Sequence, residues 1–171
     1  MSRPKPPDLE HEAEREAPCP EGGGPSLSWR VRPIGVIRAP FSTPVEAPRH
    51  FKRIGRSTVH VFPDYVPGLD DLEGFSHLWL IVLLHRSDGF DLLVKPKERD
   101  MDHGVFATRS PRRPNPLGLT LVELVKREGG DLLVLGADLC DHTPLLDIKP
   151  YLPSHDCAES PRLGWWQEEQ S

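Results

Sequence analysis

Residues 119–139 read LTLVELVKREGGDLLVLGADL, and this stretch decides the fold. Two apolar segments, Leu119 to Val125 and Leu132 to Leu139, flank the pair Gly129-Gly130. Adjacent glycines accept the positive φ values that tight hairpin turns need, so the pattern predicts an antiparallel β-hairpin.

Further short strands are expected on the N-terminal side of this hairpin. In Trp29 to Arg38, apolar and polar residues alternate, and Ser57 to Phe62 is rich in β-branched residues. His77 to His85 is a continuous apolar run, as in a strand buried on both faces. Residues 67–74 have room for one helical turn, and residues 95–103 are charged enough for an exposed loop. Many short strands with few helices predict an all-β, mainly antiparallel fold that closes into a small β-barrel and so leaves no exposed sheet edge.

The two ends of the chain differ from its centre. Residues 1–28 contain six prolines and three consecutive glycines but few large apolar residues, which predicts a disordered tail. We therefore expect one barrel domain at residues 29–152 and a short polar C-terminal tail at 153–171. Within that tail, Trp165 and Trp166 are expected to dock on the domain or on a second copy.

The net charge of −5 arises in these tails. Residues 1–28 carry three basic and six acidic side chains, residues 152–171 carry one and four, and the centre carries 17 and 16. The charge of the whole chain therefore does not exclude an anionic partner for the centre.

Several classes of protein are disfavoured by what the sequence lacks. It has no GxGxxG, GxxxxGK[ST], GxSxG or HExxH motif, and its three cysteines are too widely spaced for a disulfide framework or a CxxC zinc site. No metal site is expected. No apolar run is long enough for a membrane span or a signal peptide, so a cytoplasmic protein is expected.

The segment GVFATRSPRRPNPLGL at residues 104–119 predicts a rigid cationic loop. Arg109, Arg112 and Arg113 supply fixed positive charge and forked donors, while three prolines stiffen the backbone that carries them. Such a loop can hold an anion, a carboxylate or a phosphate, at little cost in ordering entropy. The alternative interpretation is a solvated turn.

A second dense segment, ADLCDHTPLLDIKPY, occupies residues 137–151. Asp138 and Asp141 are expected at a strand end, and Asp147, Lys149 and Tyr151 alternate onto one face. That face combines an acid, a base and a phenol. The alternative is an exposed edge with an Asp–Lys ion pair that contributes little energy.

Four blocks of the sequence resemble one family. They are LEGFSHLW at 72–79, GVFATRS at 104–110, RPNPLG at 113–118 and DHTPLLDIKPY at 141–151, and in this order they resemble the signature blocks of the TsaA-like (TrmO, or YaeB) methyltransferases. The resemblance covers roughly Val31 to Leu152. It implies a small β-barrel that binds S-adenosylmethionine without a Rossmann fold and works as a homodimer, with the cofactor near the subunit interface. Members methylate N6 of the threonylcarbamoyl-adenosine next to the anticodon in tRNA.

The resemblance also implies which residues contact S-adenosylmethionine. They come from the loop after the first strand, the end of the apolar strand, the cationic loop, the hairpin and the turn before the last strand: Pro48, Arg49, His50, His85, Arg86, Arg109, Leu121, Asp141, His142, Thr143 and Pro144. Three of these depart from the family, which commonly has Gln at the positions of His50 and Arg86 and Gly at that of His142. A turn that needs positive φ is more strained with His than with Gly.

Methyl transfer from a sulfonium is a direct displacement that needs alignment and no metal. Arg109 is suited to the methionine carboxylate, and Phe106 and Leu121 are expected to flank the adenine or the sulfonium. Asp147 is the expected proton acceptor, with Lys149 as its orienting partner or as a clamp on the threonyl carboxylate.

For tRNA, the expected contacts are Arg112, Arg113 and Asn115, which meet phosphates or the substrate carboxylate, and Tyr151, on which an unpaired base can stack. The chain has only about twenty residues after the last block, fewer than longer bacterial relatives. Two other functions therefore stay open: a small-molecule methyltransferase on the same barrel, and a noncatalytic module that binds S-adenosylmethionine or RNA.

Overall fold

The computed structural model describes residues 30–43, 55–96 and 100–169. The strands are β1 (Gly35–Arg38), β2 (Arg56–Val61), β3 (His77–Leu83), β4 (Leu93–Val94), β5 (His103–Gly104), β6 (Leu117–Glu128), β7 (Asp131–Leu135) and β8 (Thr143–Pro150). Short 3₁₀ turns occur at Pro63–Leu69, Leu72–Gly74, Val105–Ala107 and Gly164–Glu169, and helix α1 spans Pro153–Asp156. The expected disordered tail at 1–28 lies outside the described residues.

Six of these strands form a closed barrel in the order β1-β2-β7-β6-β3-β8, and β4 pairs with β5 in a separate ribbon. Neighbouring strands are antiparallel, including the β1–β8 pair that closes the barrel. Closure satisfies the backbone groups that an edge strand would leave unpaired. The prediction of an all-β antiparallel barrel is therefore confirmed.

The core consists of the side chains that point into the barrel. Those with no exposed surface include Ile37, Val59, Leu78, Leu80, Val82, Val122, Leu132, Val134 and Leu145. Removing one such side chain from water contributes about 1.5–3 kcal/mol, so this inner row supplies much of the driving force for folding.

Strand β3 corrects one expectation. Its burial alternates, with Leu78, Leu80 and Val82 fully buried and Trp79 and Ile81 half-buried, so it is not covered on both faces. The reason is that an antiparallel barrel encloses one face of each strand and leaves the other on the outside. The outer face of β3 is nevertheless apolar.

The predicted hairpin is confirmed and joins β6 to β7. Gly129 has φ of 59°, in the left-handed region that glycine adopts without strain. A Cβ atom on Gly130 would lie 2.9 Å from the Val61 carbonyl oxygen, so this position also requires glycine for the close approach of β2. The Gly130 carbonyl accepts a hydrogen bond from the Val61 amide at 2.8 Å.

The segment expected to form one helical turn contains two 3₁₀ turns, and Arg127 of β6 fixes them to the hairpin. Its Nη1 donates to the Leu69 carbonyl and to Glu73 Oε1, both at 2.8 Å. Its Nε donates to the Gly129 carbonyl at 3.0 Å, and the side chain is 14% exposed. Within the described ranges, no helix is long and apolar enough to cross a membrane.

Candidate ligand cleft at the barrel rim

One rim of the barrel carries an open cleft of about 520 Å³. Its walls come from the residues after β3, the cationic loop, the start of β6 and the connection from β7 to β8. These segments meet because β3 ends where its antiparallel partners β6 and β8 begin. The volume is within the range of small-molecule binding sites.

The cleft combines apolar walls with charged and hydroxyl groups. The apolar side chains are Leu84, Leu117, Leu119 and Leu139. The polar ones include His85, Arg86, Arg109, Arg113, Thr120, Asp138 and Thr143. An apolar site with a few convergent polar groups is the usual composition of a ligand pocket.

Arg109 is the arginine of the loop that offers its whole guanidinium to the cleft. It is exposed, lines the cleft, and has no side-chain hydrogen bond or ion pair with any residue in the described part of the chain. By contrast, Arg112 Nε lies 2.9 Å from Asp91 Oδ2. The three arginines of the loop therefore do not have equivalent environments.

Arg113 holds the loop together. Its Nη1 donates to the Thr108 carbonyl at 2.9 Å and to the Ser110 carbonyl at 3.3 Å. Its guanidinium carbon lies 5.9 Å from the centroid of the Phe106 ring, and Thr108 Oγ1 donates to the Val105 carbonyl at 2.8 Å. These bonds, together with the prolines, fix the conformation of the segment that carries Arg109.

The turn before β8 borders the cleft through Cys140 and Thr143, and its residue His142 has a left-handed backbone conformation. His142 has φ of 61°, and its Nε2 lies 3.2 Å from Asp141 Oδ2. Asp141 Oδ1 accepts a hydrogen bond from the Ala39 amide at 3.0 Å, and the His142 amide donates to the Ile37 carbonyl at 2.8 Å. Bonds to the end of β1 thus hold this residue in the left-handed region although it is not glycine.

Several residues expected at the site lie elsewhere in this chain. Leu121 and Lys149 flank Trp79 on the outer face of the barrel, and Asp147 faces Ile81 there. Tyr151 lies on the same face, with its ring centroid 6.1 Å from that of Trp79.

The prediction that Asp147, Lys149 and Tyr151 share a face therefore agrees with the register. Lys149 Nζ lies 2.8 Å from Asp147 Oδ2, and the hydrogen bond and negative charge of this carboxylate raise the pKa of Lys149. Neither side chain reaches the cleft of its own chain.

The remaining expected residues have other environments. Phe106 is 75% exposed and Asn115 is exposed in the loop; neither lines the cleft. Pro48, Arg49 and His50 lie outside the described residues.

Sequence reasoning missed Gly118, Thr120 and Asp138 as parts of the cleft. Thr120 Oγ1 donates to Asp138 Oδ1 at 3.0 Å. The alternation of β6 could have shown that Gly118 and Thr120 point inward with Val122, at the end of the strand that follows the cationic loop. Across residues 30–43, 55–96 and 100–169, no group of three or more His, Cys, Asp or Glu side chains could hold a metal ion.

Fold and cleft together define a small antiparallel β-barrel protein with a cationic ligand site at its rim. A family model described as the tRNA-methyltransferase O N-terminal domain matches residues 36–157. This chain belongs to that family, which confirms the resemblance inferred from the sequence blocks.

Individual relatives agree with this assignment. A probable S-adenosyl-L-methionine-binding protein of Pyrococcus abyssi is 47% identical over 139 residues, which are 80% of this chain and 76% of that protein. A tRNA (adenine(37)-N6)-methyltransferase of Mus musculus is 36% identical over 76% of this chain and 32% of that protein. The crystal structure of TrmO from Pseudomonas aeruginosa has a TM-score of 0.69 at 37% identity, over 81% of this chain and 63% of that one. The chain thus spans most of the archaeal relative and about a third of the mouse enzyme.

His85 in the cleft wall has a lowered pKa. The largest cause is desolvation, followed by the positive charge of Arg86 and the proximity of His142, while a hydrogen bond with Leu83 acts in the opposite direction. The unfolded chain protonates this ring nearer the ordinary pKa of about 6.5. As the pH falls through that value, the unfolded state binds more protons than the folded state, so stability declines until the lower folded pKa is passed.

We therefore expect His85→Gln to reduce the acid sensitivity of folding. Between about pH 7.5 and about pH 5, the free energy of unfolding should fall more in the wild-type protein than in the variant. Urea unfolding at a series of pH values measures this difference. His155→Gln, a change in the exposed part of α1, is the control and should follow the wild-type curve. Parallel curves for His85→Gln and wild type would contradict a lowered pKa of His85 in the folded protein.

Proposed function

We propose that this chain is an S-adenosylmethionine-dependent methyltransferase that modifies N6 of the threonylcarbamoyl-adenosine next to the anticodon of tRNA. The observation that carries the proposal is the position of the cleft: Arg109 and the residues Cys140 and Thr143 on either side of the turn before β8 line it, and all fall within residues 36–157, the part matched by the family model. The names of the archaeal and mouse relatives support the cofactor and the acceptor, respectively. The proposed catalytic unit is the barrel at residues 29–152, with the tail at 153–171 attached. Because its proposed substrate is tRNA, we place the enzyme in the cytoplasm.

The residues of the cleft fit the chemical groups of S-adenosylmethionine. Arg109 offers the planar donors that match a carboxylate, and Asp138 offers an acceptor for an amino group or ribose hydroxyls. Leu84, Leu117 and Leu139 provide the apolar surface that an adenine or a methylene chain requires. When bound, the cofactor supplies a methyl group attached to a positively charged sulfur.

The contribution of the protein is alignment and removal of a proton. The loop bonds of Arg113 fix the position of Arg109, which then orients the bound amino-acid group without further ordering cost. The nitrogen that receives the methyl group must lose a proton, and we propose Asp147 as the acceptor with Lys149 as its orienting partner. Since both lie outside the cleft of their own chain, this role needs a second copy.

A homodimer is the second part of the proposal, and the outer face of β3 and β6 supports it. Leu117 and Leu119 are 48% and 52% exposed, and they pair with the apolar residues Leu83 and Ile81 of β3. Contiguous apolar surface of this kind marks an interaction site. Leu117 and Leu119 also line the cleft, so a copy packed on this face would place its own surface beside the bound cofactor.

We expect Leu119→Arg to separate the dimer, because it buries a charge at the centre of the apolar face. Sedimentation velocity should show a monomer for this variant. Val125→Arg, at a position 44% exposed on the same strand but beyond this face, is the control and should remain dimeric. A wild-type protein that sediments as a monomer at assay concentration would contradict the dimer.

For tRNA we propose contacts with Arg112, Arg113 and Asn115 on the loop and stacking on Tyr151. Arg112 is 52% exposed in its pair with Asp91, and an exposed ion pair is worth about 1 kcal/mol or less, so a phosphate can compete with that carboxylate. Arg113 keeps Nη1 in the loop and can offer its other donors. The acceptor's threonyl carboxylate would meet the same cationic edge.

Arg109 and Arg112 should therefore have separable effects. Arg109→Ala should weaken S-adenosylmethionine binding about a hundredfold, the loss expected for a charge-assisted two-bond contact. Arg112→Ala should leave cofactor affinity unchanged but weaken tRNA binding. It should also reduce by about one the number of counterions released on tRNA binding, which is read from the slope of log affinity against log salt concentration. Calorimetry with the cofactor and tRNA titrations at several salt concentrations measure both effects. Lys126→Ala, which removes an exposed positive charge at the far end of β6, is the control. Normal cofactor affinity in Arg109→Ala would contradict this division.

Turnover should be tested with S-adenosylmethionine carrying a labelled methyl group. We expect label in a tRNA that contains threonylcarbamoyl-adenosine and none in the same tRNA without that modification, as measured by nucleoside mass spectrometry. Cofactor binding without transfer to any RNA would favour the noncatalytic module. Transfer of label to small molecules, with an unchanged nucleoside profile of the tRNA, would favour the small-molecule methyltransferase. The near-neutral charge of the central part of the chain is compatible with that function.

A further inference from the structure

The C-terminal tail returns to the barrel through Trp165. This residue belongs to the 3₁₀ turn Gly164–Glu169. Its indole ring stacks on the imidazole of His103, with centroids 4.3 Å apart and an interplanar angle of 14°. Its Nε1 donates a hydrogen bond to the Ala107 carbonyl at 3.0 Å. The tail is thus attached to the segment that leads into the cationic loop.

The hydrogen bond from Trp165 to Ala107 lies close to the residue that faces the cleft, Arg109. Ala107 ends the 3₁₀ turn Val105–Ala107 and stands two residues before Arg109. On the other side of this turn, Val105 is 1% exposed and its amide donates to the Leu92 carbonyl at 2.9 Å. The base of the cationic loop is therefore held from inside by Val105 and from outside by Trp165.

Trp165 is distinguished from its surroundings in two ways. It is partly buried, whereas residues 152–164 and its neighbour Trp166 are exposed. It also lies beyond residue 157, where the match to the family model ends. A partly buried tryptophan whose indole N–H has a hydrogen-bond partner is a docked side chain.

We propose that Trp165 is a positioning residue for the ligand cleft, and that it acts through Arg109. Its hydrogen bond and ring stack hold the Ala107 carbonyl and so limit the orientations that the Arg109 guanidinium can take. That the ligand is S-adenosylmethionine rests on the proposed function, whereas the ordering of the loop by Trp165 does not. The tail is accordingly part of the site without touching the bound molecule.

The ordering of the loop can be measured with no ligand present. Hydrogen exchange followed by mass spectrometry should show faster exchange over residues 105–113 in Trp165→Ala than in wild type. Trp165→Phe keeps an aromatic ring for His103 but lacks the N–H donor, so it should show an intermediate rate. Trp166→Ala removes a ring that meets Trp165 edge-on, with centroids 5.3 Å apart, but leaves the bond to Ala107 and the stack on His103 in place, so its loop should exchange close to the wild-type rate. Unchanged exchange over 105–113 in Trp165→Ala would overturn the proposal.

Cofactor affinity then tests whether Trp165 works through Arg109. Trp165→Ala should raise the dissociation constant for S-adenosylmethionine about tenfold, while Trp166→Ala changes it less than about twofold. In an Arg109→Ala background, Trp165→Ala should add no further loss, because a residue that acts only through the Arg109 side chain has nothing to position once that side chain is removed. Additive losses would show that Trp165 acts independently of Arg109 and would also overturn the proposal.

The two proposals fail in different ways. If Arg109→Ala binds S-adenosylmethionine normally, the assignment of the cofactor site is wrong, whatever the exchange experiment shows. If Arg109→Ala loses affinity but Trp165→Ala does not, the cofactor site stands and the positioning role of Trp165 is wrong. A drop in melting temperature of Trp165→Ala with normal exchange over 105–113 would indicate a role in stability alone.

Discussion

The closure of the barrel by β8 is the constraint on which the rest of the structure depends. Leu145 pairs with Gly35 of β1 on one side and with Val82 of β3 on the other, so one strand joins both edges of the sheet. A register shift between Ile81 and Val82 leaves one extra residue in β8, and bulges of this kind increase the local bend that a small barrel needs. Because β8 must begin at the rim to reach β1, the turn that precedes it is brought to the cleft.

This constraint also explains how His142 tolerates its conformation. A left-handed backbone costs roughly 1–2 kcal/mol for a residue other than glycine. The His142 amide donates a hydrogen bond to the Ile37 carbonyl at 2.8 Å, next to the pairing of β8 with β1, and the Asp141 amide donates one to the Phe41 carbonyl, beyond the end of β1, at 2.7 Å. The fold therefore determines the turn, and the residue at its left-handed position can depart from glycine at a bounded cost.

The parts of the fold that could be predicted from sequence are those with local causes. The hairpin around Gly129 follows from alternation and from a turn that needs positive φ, and both signals lie within twenty residues. The apolar run of β3 was ambiguous, because a strand covered by its own chain on both faces and one with an apolar outer face have the same sequence pattern. The sequence blocks located Asp147 and Lys149 but could not show on which side of the barrel wall they lie.

The different environments of Arg109, Arg112 and Arg113 could not be predicted from the sequence, because they depend on contacts made by the folded loops. The pairing of Arg112 with Asp91 joins residues from separate loops, and the bonds of Arg113 depend on the fold of its own loop. Proline content indicated a stiff loop but not which guanidinium has no partner among residues 30–43, 55–96 and 100–169. That distinction is a property of tertiary structure.

The charges of the cleft favour binding of the amino-acid group of S-adenosylmethionine over binding of a nucleic-acid phosphate. At physiological ionic strength an exposed charge is screened within about 8 Å, so the groups that line the cleft matter more than the net charge of −5. The lining includes the cations of Arg86, Arg109 and Arg113 and the carboxylate of Asp138. The cations would attract a phosphate as well as a carboxylate, but Asp138 repels a phosphate and attracts an ammonium, so the carboxylate and ammonium of an amino acid are matched by both signs. The cleft is therefore better suited to the zwitterionic methionine group, and the outer edge of the loop, where Arg112 lies with a carboxylate that a phosphate can displace, is the better surface for RNA.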